Sequence, residues 1–256
     1  MTSPAATEAT VGTDAAYYVY GIVPAGAPVD LVQDAGMGEP VQLVVDGPVG
    51  ALVEVVDPDR PLGRRRDLVA HSTVLNTMAE NGPVLPMRFG SVIQGQTAVA
   101  EELLRPQRDH FVALLEQVEG SVQFTVRARY VLDTVLAEIV ASEPEVAELR
   151  RRTADLPEDA THYERIRLGE LVARAVDVRR HEDAQMILDR LAPHTDDQVV
   201  KEVSGMDNLA EFAFLVQTDG QADLEHAAEV LAEELDGRVR LSLVGPMALY
   251  DFVREQ

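Results

Sequence analysis

Short apolar runs in the first part of the chain alternate with period two or consist of β-branched and aromatic residues, a pattern typical of β-strands. YYVYGIV, from Tyr17 to Val23, predicts a first strand and stops at a proline. VQLVV (Val41 to Val45) and VGALVEVV (Val49 to Val56) flank an Asp-Gly-Pro sequence, and an Asp-Gly pair between apolar runs is a hairpin signal. We therefore expect an antiparallel pair after the first strand, with a helical turn around Val29 to Gln33 between them.

Helical spacing follows the hairpin. The segment from Arg64 to Glu80 is predicted to be a helix that stops at Asn81-Gly82. Its predicted stripe consists of Leu68, Val69, Ser72, Leu75 and Ala79. A second helix is predicted from Thr97 to about Val118.

The nine residues VLPMRFGSV, from Val84 to Val92, separate these two helices and are predicted to form a strand. Alternation along a strand would place Leu85, Met87 and Phe89 on one face, and Pro86, Arg88 and Gly90 on the other. An arginine between two residues with little side-chain bulk would be free to meet a carboxylate, a partner or water.

The second part repeats the alternation of strands and helices. SVQFTVRARYV predicts a half-buried strand, because Val122, Phe124 and Val126 alternate with polar residues. The expected elements after it are a helix from Leu132 to Asp155 broken at Pro144, a helix opening after Pro157, the strand EFAFLVQ, a helix closed by Gly237 and a strand from Arg238 to Gly245. The stripe predicted for the helix after Pro157 consists of Tyr163, Ile166, Leu171, Val172 and Ala175.

This order predicts an α+β protein with two ferredoxin-like α/β layers, the second enlarged by a helical insertion. The expected division is a flexible tail over residues 1–14, an α+β domain over 15–118 and a ferredoxin-like domain over 119–256. At 256 residues the chain is long enough for two cores.

Composition narrows the function classes. The formal net charge is −22, which repels phosphate backbones, so nucleic acid is not an expected partner. The basic triplets Arg64–Arg66 and Arg150–Arg152 are read as solvated helix faces. No apolar run approaches the length of a membrane span, and the first residues lack the charge and hydrophobic pattern of a signal peptide.

Candidate chemistry is sparse. The chain has no cysteine, and no two of its six histidines stand at the helical spacing of a metal pair; they are His71, His110, His162, His181, His194 and His226. The pair Asp196-Asp197 is predicted to lie in a solvated loop. Phosphate-binding, dinucleotide-binding and nucleophile motifs are absent from the sequence. We therefore expect no catalytic residues, no metal and no cofactor.

Three segments together resemble the GvpF/GvpL family of gas vesicle proteins: YYVYGIV, VLPMRFGSVI and VRLSLVGPMALYDFV. The most specific is the second, where Leu85, Pro86, Met87, Arg88, Phe89 and Gly90 match a Leu-Pro-apolar-Arg-Phe-Gly core. The third keeps Gly245, Pro246, Tyr250 and Phe252. It has Met247, Ala248, Leu249 and Asp251 where the family tends to have tryptophan, prolines and serine.

The resemblance implies a non-enzymatic accessory protein for gas vesicle formation, a cytoplasmic protein associated with the vesicle. Its expected partners are the gas vesicle shell protein and other gas vesicle accessory proteins. Leu85, Pro86, Gly90, Gly245 and Pro246 are expected to be structural.

Four residues are candidates for partner binding, and each has a structural alternative. Arg88 and Phe89 would contact a partner, or Arg88 would pair with a local acid and protect a strand edge. Tyr250 and Phe252, two apart on a predicted strand, would form a lip for a partner peptide or close a core.

An alternative from another class stays open. Ferredoxin-like folds host many functions, so the chain could be a pair of small-molecule-binding or catalytic domains with a ligand site near Arg88.

Overall fold

The first part of the chain folds around an antiparallel sheet. The computed structural model describes residues 15–157 and 160–253, so the predicted tail over 1–14 lies outside the described residues. In chain order the elements are strand β1 (Ala16–Pro24), a 3-10 turn (Val29–Leu31), β2 (Gln42–Asp46), β3 (Val49–Val56), helix α1 (Arg65–Ala79), β4 (Leu85–Pro86), β5 (Val92–Gln94), the short helix α2 (Gln96–Ala98), a π-helical segment (Val99–Leu104) and α3 (Arg108–Gln117).

Strand β1 is the centre of this first sheet. The sheet order is β2-β3-β1-β4, and β5 also pairs with β1. All pairings of β1 are antiparallel, with Gly21 opposite both Leu52 of β3 and Pro86 of β4. Every residue of β1 before Pro24 is buried. Its β-branched and aromatic side chains therefore pack on both faces of the sheet, which explains why the segment reads as a continuous apolar run.

A second sheet follows, with a helical segment between its first two strands. The elements are β6 (Ser121–Tyr130), α4 (Leu132–Ser142), α5 (Pro144–Thr153), α6 (His162–Leu191), β7 (Asp197–Lys201), β8 (Asn208–Gln217), α7 (Gln221–Glu234) and β9 (Val239–Met247). The sheet order is β7-β8-β6-β9, and β7 pairs antiparallel with β8. The predicted α+β class with an inserted helical segment is confirmed.

The ferredoxin-like description stays an interpretation. Both sheets order their four main strands second, third, first, fourth. In the first sheet, however, a 3-10 turn stands between β1 and β2, where a split βαβ unit has a helix.

Packing divides the chain into two compact units. The first comprises the chain up to Val122 together with the segment from Pro246 onwards, and the second runs from Gln123 to Gly245. The C-terminal segment thus packs with the first unit, whereas the predicted limits placed it in the second. The reason is Ala248, which is fully buried in the core of the first unit among Tyr18, Tyr20 and other apolar side chains. That 15–118 and 119–256 fold as separate domains stays a prediction.

Helix α1 has the predicted limits but a different buried face. Leu68 and Val69 are about half exposed, and the buried side chains are Asp67, His71, Val74, Leu75 and Met78. The predicted stripe is wrong at Leu68 and Val69 but right at Leu75, and two polar residues lie on the core side instead. Asp67 is buried because its carboxylate accepts hydrogen bonds from Arg60 and from the Arg64 backbone N–H.

The predicted helix from Thr97 to Val118 is interrupted. The π-helical segment ends with an Arg105 N–H to Ala100 carbonyl bond of 2.9 Å, and α3 begins only at Arg108. Pro106 lies in the break, and proline has no N–H to continue a helical ladder.

Three further details of the second unit differ from expectation. In α6, Tyr163 is 83% exposed and Ile166 is exposed, while the buried side chains are Val176, Ile187 and Leu191. Strand β6 is buried on both faces over its first six residues rather than half-buried. Asp197, predicted to lie in a loop, begins β7, a strand that the sequence did not predict. Pairing with β8 supplies its backbone hydrogen bonds, and a run of five residues gives little local signal of a strand.

Candidate functional site

The LPMRFG motif forms a short edge strand followed by a tight turn. Leu85 and Pro86 pair with β1, and the Met87 N–H donates to the Tyr20 carbonyl at 2.8 Å. The chain then turns, with the Ser91 N–H donating to the Arg88 carbonyl at 3.1 Å. The predicted alternation is therefore wrong beyond Pro86, which is itself buried.

Gly90 explains the turn. It has a φ of 92°, and no described non-glycine residue has positive φ. A positive φ at the third position alone is the geometry of a type II turn, which favours glycine there. The turn presents Arg88 and Phe89 side by side, and Ser91 Oγ closes it with a second bond to the Arg88 carbonyl.

Arg88 is exposed on this turn. Its guanidinium has no carboxylate within ion-pair distance and no side-chain hydrogen bond to any residue in the ranges 15–157 and 160–253. The prediction that Arg88 pairs with a local acid is therefore wrong for the described part of the chain.

Phe89 packs at the margin of an aromatic cluster, which we define as Tyr18, Tyr20, His71, Phe89 and Tyr250. The Phe89 ring lies 5.5 Å from that of His71 and 6.0 Å from that of Tyr18. Tyr20 stacks on His71 with centroids 5.8 Å apart. The cluster joins β1, α1 and the motif turn, so side-chain packing beneath the turn stabilises it.

Tyr250 reaches the same cluster from the C-terminal segment, with its ring 6.4 Å from that of His71. The segment is anchored to α1, because the Ala248 N–H donates to the Asn76 side-chain oxygen at 3.2 Å. Tyr250 and Phe252 lie in a turn after β9 and not on the predicted strand. Tyr250 is 38% exposed.

Phe89 and Tyr250 line one open depression of about 560 Å³, which we call the motif depression. Its lining residues are His71, Pro86, Met87, Arg88, Phe89, Tyr250 and Val253. A second cavity of about 300 Å³, the adjoining hollow, shares Pro86, Met87 and Val253 with it. Its other lining residues are the apolar Ile22, Leu85, Leu103, Phe111 and Leu114 and the polar Gln107 and His110.

The structure thus brings three of the four candidate binding residues together and leaves one outside. Arg88, Phe89 and Tyr250 line the motif depression, whereas Phe252 does not. Gly245 lies on β9, where an added Cβ would come within 2.5 Å of the Phe124 ring. Close packing against β6 therefore explains that glycine.

Below the depression lies a polar network that the sequence analysis missed. The Tyr18 hydroxyl is hydrogen-bonded to His71 Nδ1 at 2.8 Å and accepts from the Gly90 N–H at 3.3 Å. The Tyr20 hydroxyl donates to the buried carboxylate of Glu54, which also accepts the backbone N–H groups of Met37 and Glu39. Each of these partners lies at least 15 residues away in sequence, so periodicity gave no signal.

Burial controls ionisation in this network. It lowers the pKa of His71 to about 4 and raises the pKa values of Tyr18 and Tyr250 to about 12. Burial and the hydrogen bond to Glu54 also raise the pKa of Tyr20. At neutral pH the ring of His71 is therefore uncharged, the tyrosines are protonated, and Arg88 supplies the positive charge at the depression.

Other candidate sites contain no comparable arrangement. Within the described ranges no three His, Asp or Glu side chains are grouped as metal ligands. The Asp196 carboxylate accepts the Gln217 N–H and the Asp197 carboxylate accepts the Gln198 N–H, so both bind backbone groups at the ends of β7 and β8. Among the described helices none has the length and apolar character needed to cross a bilayer.

Comparison with known proteins agrees with this structure. The family profile described as Gas vesicle synthesis protein GvpL/GvpF matches residues 16–254. Gas vesicle protein F of Streptomyces sp. (strain CB03234) is 33% identical over 238 residues, covering 92% of this chain and 98% of that protein. Gas vesicle protein F of Microcystis aeruginosa (strain PCC 7806) is 24% identical over 239 residues, with 93% and 97% covered.

Solved structures show the same fold. The crystal structure of GvpF from Anabaena sp. PCC7120 superposes with a TM-score of 0.80 at 22% identity, covering 94% of this chain and 99% of that one. GvpF from Microcystis aeruginosa gives 0.77 at 24% identity, with the same coverage. The sequence resemblance and the family profile agree over nearly the whole length, and the chain belongs to the GvpL/GvpF family of gas vesicle synthesis proteins.

Proposed function

We propose that this chain is a non-enzymatic accessory protein of gas vesicle formation. It binds the gas vesicle shell protein, other gas vesicle accessory proteins, or both, through the motif depression. It acts in the cytoplasm and at the gas vesicle. Membership of the family supports the gas vesicle role.

The observation that carries the binding surface is the guanidinium of Arg88, which is exposed beside Phe89 and Tyr250 and has no carboxylate partner within residues 15–157 and 160–253. Arginine and aromatic side chains next to apolar pockets are the composition of interface hot spots. The Arg88 side chain is not needed to form the turn, because backbone hydrogen bonds and the positive φ of Gly90 hold it.

The charge of the chain supports an assembly role. A newly made shell subunit exposes apolar surface and strand edges that aggregate. A binder with a net charge of −22 would cover part of that surface, and its charge would repel further association.

The perturbed ionisations also favour binding over proton-transfer chemistry. General acids and bases work best with pKa values near the operating pH. His71, at about 4, and Tyr18 and Tyr250, at about 12, are far from neutrality.

The test is a pull-down of co-expressed shell protein with the wild-type chain and four variants. Arg88→Ala should reduce capture at least tenfold while leaving the melting temperature near wild type. Tyr250→Ala should also reduce capture at least tenfold, and circular dichroism checks that this variant is folded, because its ring packs against His71. Arg65→Ala is the matched control for charge, since Arg65 is exposed in the same unit and has no ion-pair partner in the part of the chain that the structure describes. Phe252→Ala is the control for ring size. Equal capture by all five folded proteins would remove the motif depression from the proposal.

A second candidate function rests on the size of the depression. Its volume of about 560 Å³ is within the range of small-molecule sites, and Arg88 would bind an acidic ligand. A thermal shift screen against metabolites tests it, because a ligand that binds only the folded state raises the melting temperature. A shift that Arg88→Ala abolishes would favour this function.

A further inference from the structure

We propose that the motif depression and the adjoining hollow together recognise one segment of a partner protein. In that segment an acidic side chain pairs with Arg88, and an apolar side chain a few positions away enters the adjoining hollow. The inference rests on the proposed function and specifies the chemistry of the partner.

The acidic requirement follows from charge. Arg88 is exposed, and no described carboxylate lies within ion-pair distance of it. Several arginines of the first unit do have such partners: Arg60 pairs with Asp67, and Arg105 and Arg108 pair with Asp46. Arg65, which is exposed away from the motif depression, has no ion-pair partner among the described residues and serves as the control below. A guanidinium that has two parallel N–H donors available fits a carboxylate in bidentate geometry.

The apolar side chain of the partner segment is inferred from the residues that the two cavities share. Pro86, Met87 and Val253 line both the motif depression and the adjoining hollow. A segment that leaves Arg88 along these residues reaches the side chains of Leu103, Phe111 and Leu114. Pro86 and Arg88 are two residues apart, roughly 7 Å for extended chain, so the acidic and apolar side chains should be about two to four positions apart in the partner.

His71 offers a hydrogen-bond donor to the bound segment. Its ring lines the motif depression, and its Nδ1 is hydrogen-bonded to the Tyr18 hydroxyl. Its Nε2 has no hydrogen-bond partner within the residues that the structure describes. The Tyr18 oxygen accepts from Gly90, so its own proton is available for Nδ1. In that arrangement Nε2 carries the ring proton and can donate to a backbone carbonyl of the bound segment.

The experiment uses overlapping 15-residue peptides of the gas vesicle shell protein and fluorescence anisotropy with the full chain. Peptides that bind wild type are remade with each Asp or Glu changed to Asn or Gln, and are measured against wild type, Arg88→Gln and the control Arg65→Gln. Leu103→Trp, which would fill the adjoining hollow, is measured with apolar-to-alanine versions of the same peptides.

We expect one acidic position whose neutralisation weakens binding to wild type and to Arg65→Gln at least tenfold, and binding to Arg88→Gln less than twofold. Such non-additivity identifies a direct pair. Arg88→Glu should regain binding to the peptide in which that acid is lysine. Equal losses for wild type and Arg88→Gln on neutralisation would overturn the inference, as would the absence of any binding peptide.

Capture of intact shell protein separates this result from the proposed function. If wild type and Arg88→Gln capture it equally, the accessory role stands and the acidic-segment inference is wrong. If neither captures it and the co-expressed accessory proteins are not captured either, the proposed function itself is wrong.

Discussion

The hydroxyl of Tyr18 on β1 lies 2.8 Å from Nδ1 of His71 on α1, and this hydrogen bond joins residues 53 positions apart beneath the motif turn. The same hydroxyl accepts the N–H of Gly90. One oxygen therefore ties the central strand, the packed helix and the turn that carries Arg88. Changes to this contact should be felt both in stability and in the shape of the motif depression.

The first prediction concerns pH. Burial lowers the pKa of folded His71 to about 4 from an ordinary 6.5. Between these values the unfolded chain binds a proton that the folded chain does not, so the free energy of unfolding falls as pH falls from about 6.5 to about 4. The shift corresponds to about 3 kcal/mol at most.

Denaturant unfolding at half-unit pH steps would measure this effect. The difference in unfolding free energy between wild type and His71→Gln should shrink toward pH 4. Parallel curves for His71→Gln would mean that this ring does not account for the acid sensitivity.

The second prediction concerns the turn. Gly90→Ala should lower the free energy of unfolding by about 1 to 2 kcal/mol, because φ at 92° is strained for a residue with a Cβ. Gly26→Ala is the matched control, since Gly26 has neither a positive φ nor a neighbour within 4 Å of the added methyl. Chemical denaturation of both variants decides it; equal losses would show that the turn conformation is not the cause.

The third prediction concerns close packing in the second unit. A methyl group at Gly245 would lie 2.5 Å from Phe124 Cδ1 and 2.9 Å from the Gln123 carbonyl oxygen. Gly245→Ala should therefore cost about 1 to 3 kcal/mol through overpacking. Gly169→Ala, in open space on α6, should be neutral or stabilising by up to about 1 kcal/mol. Thermal melts of the two variants give the comparison, and a neutral Gly245→Ala would contradict the packing argument.

The fourth prediction concerns Arg238, which immediately precedes β9. Its guanidinium bonds Glu138 of α4 and Asp183 of α6, and lies 5.8 Å from the centre of the Tyr130 ring. The hydrogen bond to Asp183 is the main cause that raises the pKa of Arg238. Arg238→Gln should cost about 2 kcal/mol, since it leaves two carboxylates without their cation.

Arg240→Gln is the control, because Arg240 is an exposed arginine two residues further along the chain, within β9. Urea midpoints of both variants should differ, with Arg240→Gln close to wild type. Equal midpoints for the two variants would show that the Arg238 ion pairs contribute little to stability, as exposed surface pairs do.

Local chemistry predicted part of the fold well. The limits of β1, β3 and α1 and the break at Pro144 followed from β-branched runs, turn residues and proline, each of which acts on its own neighbours. The face of α1 could not be predicted, because Asp67 and His71 are buried by partners that no local pattern reveals. Apolar spacing also misled at Tyr163, where helical periodicity is present but the side chain is exposed.

The candidate site was predictable from motif resemblance and not from periodicity. Arg88, Phe89 and Tyr250 were singled out and do line one depression. The supporting residues Tyr18, His71 and Glu54 were not, since long-range hydrogen bonds bring them together. Phe252 was grouped with Tyr250 by a strand period that the turn after Met247 does not follow.

Ala248 and Tyr250 complete the first unit although the whole second unit precedes them in the chain. During translation the ribosome must therefore synthesise Gln123–Gly245 before Tyr250 and Val253, which complete the lining of the motif depression. A nascent or prematurely terminated chain would have the motif turn without Tyr250. If the motif depression is the binding face, as proposed above, incomplete products lack Tyr250 at that face and would bind the partner less well than finished chains.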